Sequence, residues 1–410
     1  MSVAFAIVVA TLTLTPPGYA QKIRPEFFGM HDSQIANGSV PGVHVGAVRL
    51  WDTGTTWREI ETAPGSYDWS KVDAAVDTAR GAGLRPMLVL GQTPQFHAVN
   101  PLAPGAYGDG ATSMPRLAAW TKYVKAAANR YGTKVDYQVW NEPNVINYWT
   151  GTVSQMASLT AAASKAINSA AGSSATIVAP SFPLRLASQQ KWYGKYWAAK
   201  ANGKGMASYV DVVAANLYPL SDQGPEESIK LRAFVKRVLP TAARGKPMWN
   251  TEINYGLLGG PTAKPIPVAK QVAFVGRTML LNAANDVQRM YWYGWAQGGI
   301  ANTHLVEDDR STLTAAGRAW DVARGWILGT DMKSCARTAS GALKGLYTCT
   351  ARKSSTEVRR FYWKPSGASV KITTAQSTKS WSDLSDHTTK KSGKYQIKIG
   401  QSPIMVTSRS

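Results

Sequence analysis

The chain has 410 residues, 44% of them hydrophobic, which is enough for a sizeable core and too long for one ordinary small domain. Glycine and proline are spread along its whole length, which excludes a fibrous or low-complexity chain. Its formal charge of +21 suggests an acidic partner, yet no helix-turn-helix, zinc-finger or RNP-like pattern accompanies it, so nucleic acid is not expected.

Residues 1–20 read as a secretory signal peptide: an apolar run from Val3 to Leu14, then Pro16-Pro17-Gly18, then a small-residue cleavage site before Gln21. The expectation is a secreted, extracellular protein with no stable insertion into a membrane. From residue 21 to 330, short β-like runs alternate with helical patterns. The strand candidates are Phe27–Met30, Val45–Trp51, Pro86–Leu90, Tyr137–Trp140, Thr176–Ala179, Val210–Leu217, Pro247–Trp249 and Val287–Trp295. Helical spacing covers Lys71–Ala82, Leu117–Tyr131, Val153–Ala171, Glu226–Leu239, Val268–Ala284 and Leu313–Leu328. Eight strands alternating with helices predict an α/β fold, a closed (β/α)8 TIM barrel, and no G-x-G-x-x-G follows the first strand to favour an open sheet.

The pattern changes after Gly329. Residues 331–410 hold short alternating runs at Gly345–Thr350, Val358–Trp363, Ser369–Thr373 and Tyr395–Ile399, which read as a small all-β domain. The basic pairs Arg352-Lys353, Arg359-Arg360 and Lys390-Lys391 concentrate there. In an exported chain the two cysteines, Cys335 and Cys349, suggest one disulfide closing a short loop.

A barrel of this kind carries its active site at the C-terminal ends of its strands. Trp140-Asn141-Glu142-Pro143-Asn144 follows the fourth run and Trp249-Asn250-Thr251-Glu252-Ile253-Asn254 the seventh. Each delivers a carboxylate to the barrel mouth beside an amide and an aromatic ring. Strands four and seven lie across the barrel, so Glu142 and Glu252 can face each other over a cleft. Two opposed carboxylates are what glycosidic cleavage requires. A separation of about 5–5.5 Å gives a retaining reaction, and about 6.5–9.5 Å an inverting one. Trp292 and Trp295 end the eighth run. Alternation puts at least one of them outside the barrel, and Trp292 is assigned to the floor of a sugar subsite. His97 follows strand three and His31-Asp32 strand one, both positions that can line the cleft. The five histidines are scattered without H-E-x-x-H, so neither a metal nor another cofactor is expected.

Trp140-Asn141-Glu142-Pro143 resembles the W-N-E-P signature of the retaining (β/α)8 glycoside hydrolases called clan A. Arg49-Leu50-Trp51 matches an Arg of that clan. Trp57-Arg58-Glu59-Ile60-Glu61, followed by Gly65-Ser66-Tyr67-Asp68-Trp69, is closest in flavour to glycoside hydrolase family 39 and related exopolysaccharide hydrolases. The resemblance covers residues 27 to 329. It implies a retaining mechanism with Glu142 as acid/base and Glu252 as nucleophile. It further implies that Asn141 bonds the 2-hydroxyl of the reacting sugar, that Arg49 supports the nucleophile, and that Tyr218 contacts it. Asn216 stands where the clan often has His, which bears on substrate subtype more than on the reaction. The implied partner is a carbohydrate polymer or oligosaccharide, acidic or envelope-associated given the charge, acted on by a monomer. Two further readings stand beside it: a non-catalytic glycan-binding barrel, against which Glu142, Glu252, Asn141 and Arg49 argue, and a transglycosylase using the same residues, in which a sugar hydroxyl replaces water.

Overall fold

The computed structural model describes residues 22–257, 264–296 and 301–410. The expected signal peptide, residues 1–20, lies outside the described residues. Eight parallel strands form one sheet: β1 (Phe28–His31), β2 (Ala47–Leu50), β3 (Arg85–Leu90), β4 (Asp136–Val139), β5 (Ile177–Val178), β6 (Val213–Asn216), β7 (Met248–Ile253) and β8 (Val287–Tyr293). Neighbours run β6-β7-β8-β1-β2-β3-β4-β5. Parallel bridges Val178↔Val212 and Pro183↔Asn216 join β5 to the segment around β6 and close the sheet into a barrel. Strands β1 to β4 are buried on both faces, as strands enclosed by helices must be.

Among the described residues, seven helices of twelve residues or more surround the strands: α1 (Ser70–Gly81), α2 (Leu117–Tyr131), α3 (Val153–Ala171), α4 (Ala187–Ala198), α5 (Pro225–Val238), α6 (Val268–Ala284) and α7 (Ala315–Ile327). Helix α1 buries Val72, Ala75, Val76 and Ala79, the face expected from their spacing. Helix α3 begins at a reciprocal cap: Gln155 N donates to Thr152 Oγ1 (3.2 Å) and Thr152 N to Gln155 Oε1 (2.7 Å). Pro225 opens α5, with Glu226 and Glu227 in its first turn and Lys236 and Arg237 in its last, each charge placed to suit the helix dipole. Helix α4 has no counterpart among the helices expected from sequence. Its apolar face is built from Tyr193, Tyr196 and Trp197 rather than aliphatic residues, and Gly194 interrupts it. Between β1 and β2 the described chain makes only the 3-10 turn Ile35–Asn37.

The C-terminal region is antiparallel. Strands β9 (Asp331–Arg337), β10 (Tyr347–Ser354), β11 (Glu357–Trp363), β13 (Thr378–Asp383), β14 (Thr388–Lys390) and β16 (Ile404–Arg409) form one sheet, ordered β9-β10-β11-β16-β13-β14. Strands β12 (Val370–Thr373) and β15 (Gln396–Ile399) pair separately. Leu346, Ile372, Ile397, Ile399 and Val406 form the small core they share. Cys335 and Cys349 lie opposite each other on β9 and β10 and are disulfide-bonded. The other face of the large sheet packs on the barrel. Cys349, Ala351, Phe361, Trp363 and Met405 join one apolar cluster with Phe274, Leu280, Trp326 and Ile327 of α6 and α7. Trp363 Nε1 donates to Glu226 Oε1 at 2.8 Å, and Arg359 donates to the Trp326 carbonyl at 2.7 Å.

Candidate active site

Four residues at the C-terminal ends of the barrel strands have left-handed backbone: Asp52 after β2 (φ 57°), Gln92 after β3 (φ 66°), and Trp140 (φ 64°) and Glu142 (φ 46°) after β4. Such a conformation costs on the order of 1–3 kcal/mol per non-glycine residue and persists only where surrounding packing enforces it. Trp140 shows the enforcement. It is fully buried, its Nε1 donates to the Tyr148 carbonyl (3.0 Å), and its ring meets Trp149 edge-on at 5.0 Å. The two reversals turn the chain so that Asn141 and Glu142 both reach the mouth.

On β7 the register slips between Asn250 and Ile253 against β8, and between Asn250 and Glu252 against β6. Such a bulge re-aims side chains. Asn250 faces the helix layer, donating to Asn282 Oδ1 of α6 (3.2 Å), while Thr251 and Glu252 both bond to residues of the barrel mouth. Strand β7 thus continues past Trp249, where the sequence pattern ends it, and Glu252 is part of the strand.

Arg49 organises the centre from the end of β2, where it is fully buried. Its Nη1 bonds Glu252 Oε1, its Nη2 donates to Asn141 Oδ1 (2.7 Å), and its Nε donates to Gln138 Oε1 (2.8 Å). Tyr218 donates to the other oxygen of Glu252 at 3.2 Å. Asn216 donates through Nδ2 to Glu142 Oε1 at 2.7 Å and is itself oriented by Thr251, whose hydroxyl donates to Asn216 Oδ1 (2.7 Å). Ser181 donates to Asn141 Oδ1 (2.9 Å). With that oxygen occupied twice, the amide nitrogen of Asn141 has no hydrogen-bond partner among the described residues. Glu142 N also donates to Ser181 Oγ (3.4 Å), so Glu142, Glu252, Asn141, Arg49, Tyr218 and Asn216 form one connected network.

Burial raises both carboxyls above the usual range. Glu142 is raised by desolvation first, opposed by the Asn216 amide and the charges of Arg185 and Arg49. Glu252 is pushed up to about 8, again by desolvation first, with Arg49 opposing and the charges of Glu142 and Asp52 adding. Asp52 is raised by burial too, against a hydrogen bond from Tyr293 and the charge of Arg49. Among the described residues no group of three or more His, Cys, Asp and Glu side chains is placed to hold a metal ion.

Three expected residues lie apart from this network. His97 sits 2.9 Å from Glu61 Oε1 and stacks on Trp57 at 5.6 Å, bracing the Glu61–Ala63 hairpin strand. Trp292 is fully buried, donates to the Thr303 carbonyl (3.0 Å) and packs edge-on against Trp320 of α7, so its ring belongs to the barrel–helix core. Trp295 is 1% exposed under the Arg310 guanidinium. At the mouth, the inward ring of β8 is Tyr293, which donates to Asp52 Oδ2 (3.1 Å) and meets Tyr218 edge-on at 6.4 Å. Asp52 also accepts from Tyr107, and His31 lies 3.6 Å away. Asp52, Gln138, Ser181 and Thr251 were not singled out by sequence. Asp52 directly follows Arg49-Leu50-Trp51, and Gln138 sits two residues before Trp140, so adjacency to the motifs was the available signal.

No protein-family profile and no curated protein matches the sequence. Solved structures do match in fold. A family 39 glycoside hydrolase from Bacteroides cellulosilyticus WH2 superposes with a TM-score of 0.69 at 14% identity, covering 94% of this chain and 81% of that one. A family 39 β-xylosidase from Caulobacter crescentus gives 0.61 at 14% identity over 96% and 98% of the two chains. A family 30 endoxylanase from Clostridium papyrosolvens C71 gives 0.62 at 13% identity over 95% and 98%. Over nearly its whole length, the chain has the fold shared by these glycoside hydrolases of families 39 and 30.

Proposed function

We propose that the protein is a secreted, retaining glycoside hydrolase that cleaves O-glycosidic bonds in a polysaccharide or oligosaccharide by double displacement. The observation that carries this reading is the unequal environment of the two carboxyls. Coupled by charge in a buried site, they titrate as a pair, and burial delays the loss of the first proton, with Glu252 pushed up to about 8. Arg49 gives Glu252 a permanent cation, and Tyr218 gives it a second donor. Glu142 accepts one neutral amide. These contacts favour the pair's first negative charge on Glu252 and leave the remaining proton on Glu142.

In the first step a Glu252 oxygen attacks the anomeric carbon while the Glu142 proton passes to the glycosidic oxygen. The bond to the leaving sugar breaks and a glycosyl ester forms. In the second, Glu142, now a carboxylate, takes a proton from water as its oxygen attacks the same carbon and frees Glu252. Asn141, whose amide N–H has no partner among the described residues, would donate to the hydroxyl beside the reacting carbon. The likeness in fold to a β-xylosidase and an endoxylanase supports a glycan substrate.

The test is a product screen. Wild type, Glu142→Gln and Glu252→Gln are incubated with plant, fungal and bacterial-envelope glycans, and reducing ends and anomeric configuration are followed. Release by wild type alone, with retained configuration, is expected. Inverted product, or full activity in either variant, overturns the assignment.

A further inference from the structure

At the opposite end of the barrel, a cleft of about 540 Å³ opens where the strands begin, beside Phe27 before β1, Pro247 before β7 and Val287 at the start of β8. Seven of its lining residues are cationic and only two, Glu26 and Asp286, are acidic. One cation, Arg289, is committed to the fold: it bonds buried Asp136 (2.7 Å) and lies over Trp249. Among the described residues the other six, Lys22, Arg24, Arg232, Lys236, Arg244 and Lys246, have no carboxylate within ion-pair distance. Arg232 carries the sharpest signal. Its Nε is buried without a hydrogen-bond partner, and burial lowers its pKa against the opposing charge of Asp286.

Like charges gathered in a concavity repel one another, and the low-dielectric walls focus their field outward. A surface without a ligand has no need of that arrangement, and scattered solvated lysines do not produce it. The basic residues here come from the barrel: Arg232 and Lys236 lie one turn apart on α5, Arg244 ends the short helix Thr241–Arg244, and Lys246 lies on the loop into β7. The Arg- and Lys-rich pairs of the C-terminal strands are not among the lining.

We propose that this cleft is a second, non-catalytic binding site for an acidic glycan, whose carboxylates pair with these cations and tether the enzyme to a polyanionic polymer. The volume suits two or three sugar units. Phe27 is the one aromatic residue in the lining and is 3% exposed, so the cleft offers no platform on which nucleic-acid bases stack. That the anion is a glycan rests on the hydrolase reading; the anion site itself rests only on charge and shape.

The test measures binding of polygalacturonate oligomers to the full chain by calorimetry, with neutral xylo-oligosaccharides and a single-stranded DNA oligomer as comparators. Four variants are used: Arg232→Gln/Lys236→Gln/Arg244→Gln, the charge-keeping Arg232→Lys, the exposed single change Lys236→Glu, and Glu142→Gln, with thermal unfolding confirming that each is folded. Polygalacturonate should bind and be released as salt rises from about 0.05 to about 0.5 M. The triple variant should lose about tenfold or more in affinity, Lys236→Glu should weaken binding alone, and Arg232→Lys should largely retain it. Glu142→Gln should bind as wild type does, because its defect lies at the other end of the barrel. An inert wild type that still binds polygalacturonate through these residues would sink the hydrolase reading and leave this site standing. Unchanged affinity in the folded triple variant, loss of binding in Glu142→Gln, no binding of polygalacturonate, or tighter binding of DNA each overturns the proposal.

Discussion

Glu252 and Arg49 form a buried ion pair whose partners are not interchangeable. Arg49 is fully buried and bonds Glu252, Asn141 and Gln138 at once, so Arg49→Met strands a buried carboxylate and an amide together. The expected cost is about 3–5 kcal/mol of stability with near-complete loss of turnover, measured by denaturant unfolding and kinetics; a stable, active Arg49→Met would refute the role. Replacing Glu142 by Gln removes the proposed proton donor and should lower kcat by roughly 10²–10⁴. The pH profile should be bell-shaped, with its lower limb near pH 8, where Glu252 takes up a proton, and its upper limb where Glu142 loses its own. The Asn216 amide stabilises ionised Glu142 and so lowers its pKa. Asn216→Ala removes that donor, the Glu142 pKa rises, and the alkaline limb should move to higher pH. A shift to lower pH would show that the proton is held elsewhere.

The elements that carry these side chains were legible in sequence to different depths. Strands β3 and β4 and the helices α2, α3 and α6 follow the expected ranges closely, because their apolar periodicity is also their packing. The two glutamates were legible because each stands in a motif at a strand end. Their supporting residues were less so. Alternation along β8 admits either set of rings, and the choice of Tyr293 over Trp292 is made by Trp320 of α7, a partner 28 positions along the chain. Ser181 and Thr251 act only because the loop after β5 and the bulge in β7 bring them to Asn141 and Asn216. Helix α4 was hidden by its aromatic face. At the start of α7, an added Cβ on Gly317 would lie 1.9 Å from the Leu305 carbonyl oxygen, which is backbone and cannot swing aside. Gly317→Ala should therefore destabilise by about 1–3 kcal/mol despite alanine's higher helix propensity, and equal or greater stability in thermal unfolding would contradict this packing.

At the scale of the whole molecule, the C-terminal sheet and the barrel share one apolar cluster and the Trp363–Glu226 bond, so the two are expected to unfold together. Removing the Cys335–Cys349 link, which spans 14 residues, should cost about 3 kcal/mol, read as a lower midpoint of a single transition. Two separate transitions would show that the sheet and barrel are independent. On these two proposals the barrel's ends have distinct work: carboxyl chemistry where the strands finish, and anion binding where they start. The central claim, a covalent glycosyl ester on Glu252, is tested most directly by trapping it. The chain is incubated with an activated 2-deoxy-2-fluoro glycoside of the sugar that the product screen identifies, then digested and weighed by mass spectrometry. One glycosyl unit on the peptide holding Glu252, absent in Glu252→Gln, is the expected result. A label on any other residue, or an unlabelled peptide from enzyme that the same glycoside has inactivated, would contradict it.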